Sequence, residues 1–64
     1  MVEGTVKFFD GFKEFGFIAG DDGKEYFVHV SGLMPGVSIT EGDKVKFTVV
    51  QGHKGPKAEN VDKI

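Results

Sequence analysis

Apolar and polar residues alternate in short runs along this chain, and turn-forming residues interrupt them about every ten positions. Residues 2–10 start the pattern: Val2, Gly4 and Val6 share one face of an extended segment, and Glu3, Thr5 and Lys7 the other. The adjacent pair Phe8-Phe9 breaks it. Strict alternation puts Phe8 inside with Val6, whereas a bulge near Phe8 turns it outward and sends Phe9 in; periodicity leaves both open. Asp10-Gly11-Phe12-Lys13 reads as a tight hairpin connection, with Phe12 packed into the loop. Strand two is expected over 14–19 and strand three over 24–30, joined by Gly20-Asp21-Asp22-Gly23. Residues 31–36 suit one helical turn anchored by Leu33 and stopped at Pro35-Gly36. Residues 35–42 form the longest loop. Lys44–Val50 alternates cleanly as strand four, with Val45, Phe47 and Val49 inward. After the Gly-rich turn Gln51–Pro56, a short fifth strand buries Ala58 and Val61, with Ile64 a further candidate. Five strands without a long helix predict an all-β fold, a small antiparallel barrel whose closure removes exposed edges.

The central hairpin carries the functional signal. Phe15 and Phe17 share one face of strand two, and Phe27 and His29 one face of strand three. With Ile18 and Val28 in the core, those four residues emerge together in water. A one-residue slip would reverse the faces, but Gly16, Ile18 and Val28 make the better core set. An exposed aromatic cluster on a small domain marks a binding surface.

Sixty-four residues make one domain, 1–64, of a size at which stability is marginal. Without cysteine there are no disulfides, thiolate metal sites or thiol chemistry. No apolar run approaches a membrane span and the first residues are too polar for a signal peptide, so a cytoplasmic location is expected, with no membrane partner. The net charge of −2 gives no general attraction to nucleic acid. The placement of the lysines changes that picture. Lys7 and Lys13 flank the aromatic cluster, Lys54 and Lys57 lie together near the C-terminus, and the acids Asp21, Asp22, Glu41 and Asp43 fall in turns.

Aromatic rings bordered by lysines suit unpaired bases, which stack on a ring while cations follow the phosphates. Stacking accepts any base, so broad preference is expected. The carboxylates are scattered and His29 with His53 has no metal-ligand spacing, so neither catalysis, a metal, a cofactor nor a small-molecule substrate is expected. The rival reading is an SH3-like interaction module that docks peptides on the aromatic face.

At Gly4-Thr-Val-Lys-Phe-Phe-Asp10, Lys13-Glu-Phe-Gly-Phe-Ile18 and Tyr26-Phe-Val-His-Val30 the chain resembles the bacterial cold shock proteins and their cold-shock domain. The second and third stretches look like that family's two ribonucleoprotein motifs. The resemblance runs from Val2 to about Val61 and includes Gly42-Asp43-Lys44-Val45 and Gly55-Pro56-Lys57-Ala58. It implies a five-stranded antiparallel Greek-key β-barrel (OB-fold) that binds single-stranded RNA and DNA. It also implies roles as an RNA chaperone, transcription antiterminator and translation regulator. By the same resemblance the stacking positions are Phe8, Phe15, Phe17, Phe27 and His29, with Lys7 and Lys13 at the border, and Phe8 therefore faces out. Some positions depart from the family. Phe8 stands where Trp is usual, Asp10 where Asn is usual, Glu14 where the motif has Gly, and Val30 where Phe is frequent. The 34–40 loop lacks an aromatic, leaving Met34 or Val37 as its apolar contact. These departures imply the family's activity at reduced affinity. A monomer is expected, with the loop after Leu33 a hinge through which two copies could exchange strands.

Overall fold

A computed structural model describes residues 1–53 and 55–64. Among the described residues five strands form: β1 (Val2–Asp10), β2 (Phe15–Gly20), β3 (Glu25–His29), β4 (Lys44–Gly52) and β5 (Gly55–Lys63). They close in the order β1-β2-β3-β5-β4, with β4 returning to β1. Four of the pairings are antiparallel. The β3–β5 pairing is parallel, joining Phe27 to Lys57 and Val28 to Ala58, so the barrel is antiparallel except along this seam. Its core is Val6, Ile18, Tyr26, Val28, Ile39, Val45, Phe47, Ala58 and Val61.

β1 changes register in its middle: Val6 lies opposite Ile18, but Phe8 lies opposite Phe17. One extra residue, Lys7, is thus taken up in a bulge, which reverses the alternation beyond it. Phe8 turns outward and Phe9 packs against the core. β2 approaches very closely here. A Cβ on Gly16 would stand 2.2 Å from the Phe8 carbonyl oxygen and 2.7 Å from the Phe9 Cα, so only glycine fits.

A second irregularity lies in β5. Lys46 pairs with Asp62 but Thr48 with Glu59, so β5 holds the extra residue. Asn60 adopts φ +54°, a left-handed conformation that asparagine tolerates better than most residues. Ala58 and Val61, three apart, can therefore both point inward. The bulge also corrects the expectation for Ile64, which is exposed because strand periodicity does not carry past it unchanged.

The connections differ in detail from the sequence reading. The helical turn is a 3₁₀ turn at Val30–Gly32, earlier than expected, and Leu33 is only half-buried against the core. Val30 leaves the strand and is exposed. In the long loop Ile39 is buried, an anchor the sequence did not reveal. Val37 also packs inward, which leaves Met34 as the exposed apolar residue of that segment. Phe12 does not pack into its loop at all: it is 98% exposed. The β1–β2 turn is held by Asp10, whose Oδ1 accepts from the N–H of Phe12 at 2.9 Å and of Lys13 at 3.2 Å. Asp10 O also accepts from Glu14 N–H at 2.7 Å. No helix among the described residues is long and apolar enough to cross a membrane.

Candidate nucleic-acid interface

Alternation in β2 and β3 sends Ile18 and Val28 to the core and presents Phe15, Phe17, Phe27 and His29 on the outer face. The register sets Phe17 opposite Phe27 and Phe15 opposite His29. The β1 bulge adds Phe8 beside them. Phe15 and Phe27 stack with centroids 5.8 Å apart and 27° between planes. Phe17 meets Phe27 edge-on at 5.8 Å, and Phe8 lies 5.7 Å from Phe17 and 6.3 Å from Phe15. These four rings form one patch. Edge-to-face and offset contacts at such distances favour aromatic pairs and fix the orientation of each ring. Flat faces are thus held ready for a ligand without prior ordering of the side chains.

His29 is exposed at the end of this patch. Its Nδ1 accepts from the Ser31 backbone N–H at 3.1 Å and lies 2.9 Å from Ser31 Oγ. The imidazole plane is held by the turn that follows it.

The cations are less uniform. Lys7, the bulged residue, is paired with Glu25 at 2.6 Å on the surface. Lys57 lies beside Phe27 across the parallel seam, 3.4 Å from Glu59. Lys13 is exposed and forms no ion pair among the described residues. Lys54 lies outside the described residues. Exposed pairs of this kind contribute little, so a phosphate can displace Glu25 or Glu59 at small cost. The four rings and His29 lie on the outer face of β1–β3, with Lys7 and Lys57 beside it and Lys13 in the β1–β2 turn.

Glu14, which stands where the family's motif has glycine, adopts φ +65°. Asp10 is engaged by its own turn. The sequence reading did not find the cleft of about 560 Å³ beside Phe27, lined also by Gln51, Gly52, His53, Gly55 and Lys57. No local signal marks it, because it is made by two distant segments meeting at the β3–β5 seam. No cluster of three or more His, Asp or Glu able to hold a metal occurs among the described residues.

A closed five-stranded barrel with a mid-strand aromatic patch and bordering lysines is the architecture of an OB-fold nucleic-acid binder. The family profile described as "'Cold-shock' DNA-binding domain" matches residues 2–64, and the chain belongs to the cold-shock domain family. Among similar proteins, the "Major cold shock protein" of Streptococcus pyogenes is 41% identical, covering all of this chain and 98% of that protein. "Cold shock protein 2" of Lactiplantibacillus plantarum is 46% identical, over 95% of this chain and 96% of that protein. "Cold shock-like protein CspC" of Bacillus cereus is 43% identical, over 98% of this chain and all of that protein. Among solved structures, "drosophila Unr CSD456" superposes with TM-score 0.81 at 23% identity and shares the fold. It covers 98% of this chain, which spans 26% of that longer one.

Proposed function

We propose that this protein, as a single cold-shock domain over residues 1–64, binds single-stranded RNA and DNA with little sequence preference. Bases stack on Phe8, Phe15, Phe17, Phe27 and His29, and Lys7, Lys13, Lys54 and Lys57 follow the phosphates. The observation that carries this reading is the contiguous four-ring patch on the outer face of a barrel whose core is complete without it. In the cell the activity is that of a cytoplasmic monomeric RNA chaperone, which holds unpaired bases against refolding and thereby regulates antitermination and translation. It involves binding and no catalysis. Phe8 in place of Trp, Val30 in place of Phe and the carboxylate of Glu14 lower the affinity within the family.

The test is titration of the parent, Phe15→Ala and Phe27→Ala with oligothymidine and oligouridine. Each ring is expected to account for about 1–3 kcal/mol, with the melting temperature nearly unchanged. A variant that unfolds, or parental affinity in both, would refute the stacking role. Saturable binding of a PxxP peptide with none of either oligonucleotide would favour a peptide-docking module instead.

A further inference from the structure

Among the described residues Phe12 is the most exposed phenylalanine, at 98% against 42% for Phe8. Its backbone is nevertheless held in a built turn. Asp10 Oδ1 accepts from the N–H groups of Phe12 and Lys13, and Asp10 O from that of Glu14. The turn stands beyond the Phe15–His29 rung of the hairpin, and the ladder runs one step further towards it, where Val30 N–H donates to Glu14 O at 2.9 Å. At that step the surface offers only Val30, exposed and aliphatic. Phe12 lies three residues from Phe15, at most about 10 Å along the chain. Its neighbour Lys13 has no ion-pair partner among the described residues.

We infer that Phe12 is an additional stacking platform, which takes the unpaired base that follows those on Phe15 and His29 as the strand leaves the sheet. Lys13 holds the adjoining phosphate. This rests on the reading of the four-ring face as the single-strand interface and extends it by one nucleotide. A ring on a fixed backbone, three residues from Phe15 in the turn that adjoins that face and next to a cation with no ion-pair partner among the described residues, matches the chemistry of a nucleotide: a flat base joined to an anion. The exposed carboxylate of Glu14 next in the chain favours contact through the base over contact through the phosphate at Phe12 itself.

The experiment compares the parent with Phe12→Ala and Phe12→Trp on oligothymidines of four and of eight nucleotides, in calorimetric titrations. Phe12→Ala should weaken binding of the octamer about fivefold or more and leave the tetramer unchanged, and Phe12→Trp should restore or exceed parental affinity for the octamer. Because the ring is almost wholly exposed, both variants should melt with the parent. Equal affinity of Phe12→Ala and parent for the octamer overturns the inference, as does an equal loss on both lengths or failure of Phe12→Trp to restore binding. If Phe15→Ala weakens binding while Phe12→Ala does not, only this extension fails. If the parent binds neither length, the single-strand reading itself fails.

Discussion

Glu14 is held from both sides, its N–H on Asp10 O and its carbonyl on Val30 N–H, so it keeps φ +65° despite its side chain. The left-handed conformation costs an L-residue roughly 1–2 kcal/mol, while glycine's extra freedom when unfolded costs about 0.5–1. The first effect is larger. Glu14→Gly should therefore stabilise the domain by up to about 1 kcal/mol, a rise in melting temperature of several degrees at this size. It should also tighten oligothymidine binding by removing a negative charge beside Phe15. A lower melting temperature would refute the strain, and unchanged affinity would show that the carboxylate points away from the ligand. The glycine preference was legible from the motif, whereas the exposure of Phe12 was not, because a lone apolar residue in a turn has no periodicity.

A second single-residue effect depends on pH. The Tyr26 hydroxyl donates to Asp22 Oδ2, and Lys24 N–H donates to Oδ1. The Tyr26 bond, then that from Lys24, holds the Asp22 carboxyl below its ordinary 3.8. The same bond, then burial, raises the phenol above 10.0. A depressed carboxyl stabilises above its unfolded value and loses that contribution as pH falls through the folded one. A raised phenol stabilises below its unfolded value and loses that contribution as pH rises through the folded one. Tyr26→Phe should thus be less stable than the parent in the neutral range, with the gap in urea unfolding narrowing below pH 4 and above pH 10. A gap constant with pH would rule out the charged bond as its source.

At the scale of elements, the β1 bulge brings Phe8 to the candidate face, and Gly16 makes the bulge possible. In Gly16→Ala the new methyl meets the Phe8 carbonyl at 2.2 Å, backbone against backbone, with no flexible group to yield. Loss of at least about 1–3 kcal/mol is expected, the usual cost of overpacking, together with weaker oligonucleotide binding as Phe8 is displaced. Parental stability in urea would mean that β1 and β2 are further apart than described. The strands themselves were legible from alternation. The bulges were not, because each is a relation between two strands: Phe8-Phe9 reads equally well in either register until Gly16 is set opposite Phe9. β5 did leave a trace in the Ala58-to-Val61 spacing, odd for a strand, with Asn60 between. Ile39 was hidden for a different reason, being an isolated apolar residue in a loop.

Across the whole molecule, core and candidate interface occupy opposite faces of the same strands, so each can vary without the other. The candidate rings and most of the lysines were legible because alternation and a local motif place them. The parallel seam and its cleft were not, since they depend on how β5 returns to β3. Few cations border the face, and Lys7 and Lys57 are already paired. With four lysines at most reaching phosphates, and about 0.7 of a log unit of affinity per contact per log of salt, the slope should not exceed about 2.8. A steeper slope in oligothymidine titrations would mean that cations elsewhere on the barrel also engage the strand.

Tyr26, the only tyrosine in a chain with no tryptophan, sits in the interior edge-on to Phe47, 5.2 Å away. Ultraviolet emission from this protein therefore comes from the side of β3 facing away from Phe27, so it reports loss of tertiary structure and is blind to docking on the outer rings. Thermal scans read at that single fluorophore, with and without oligonucleotide, would register a ligand only through its mass-action shift of the transition.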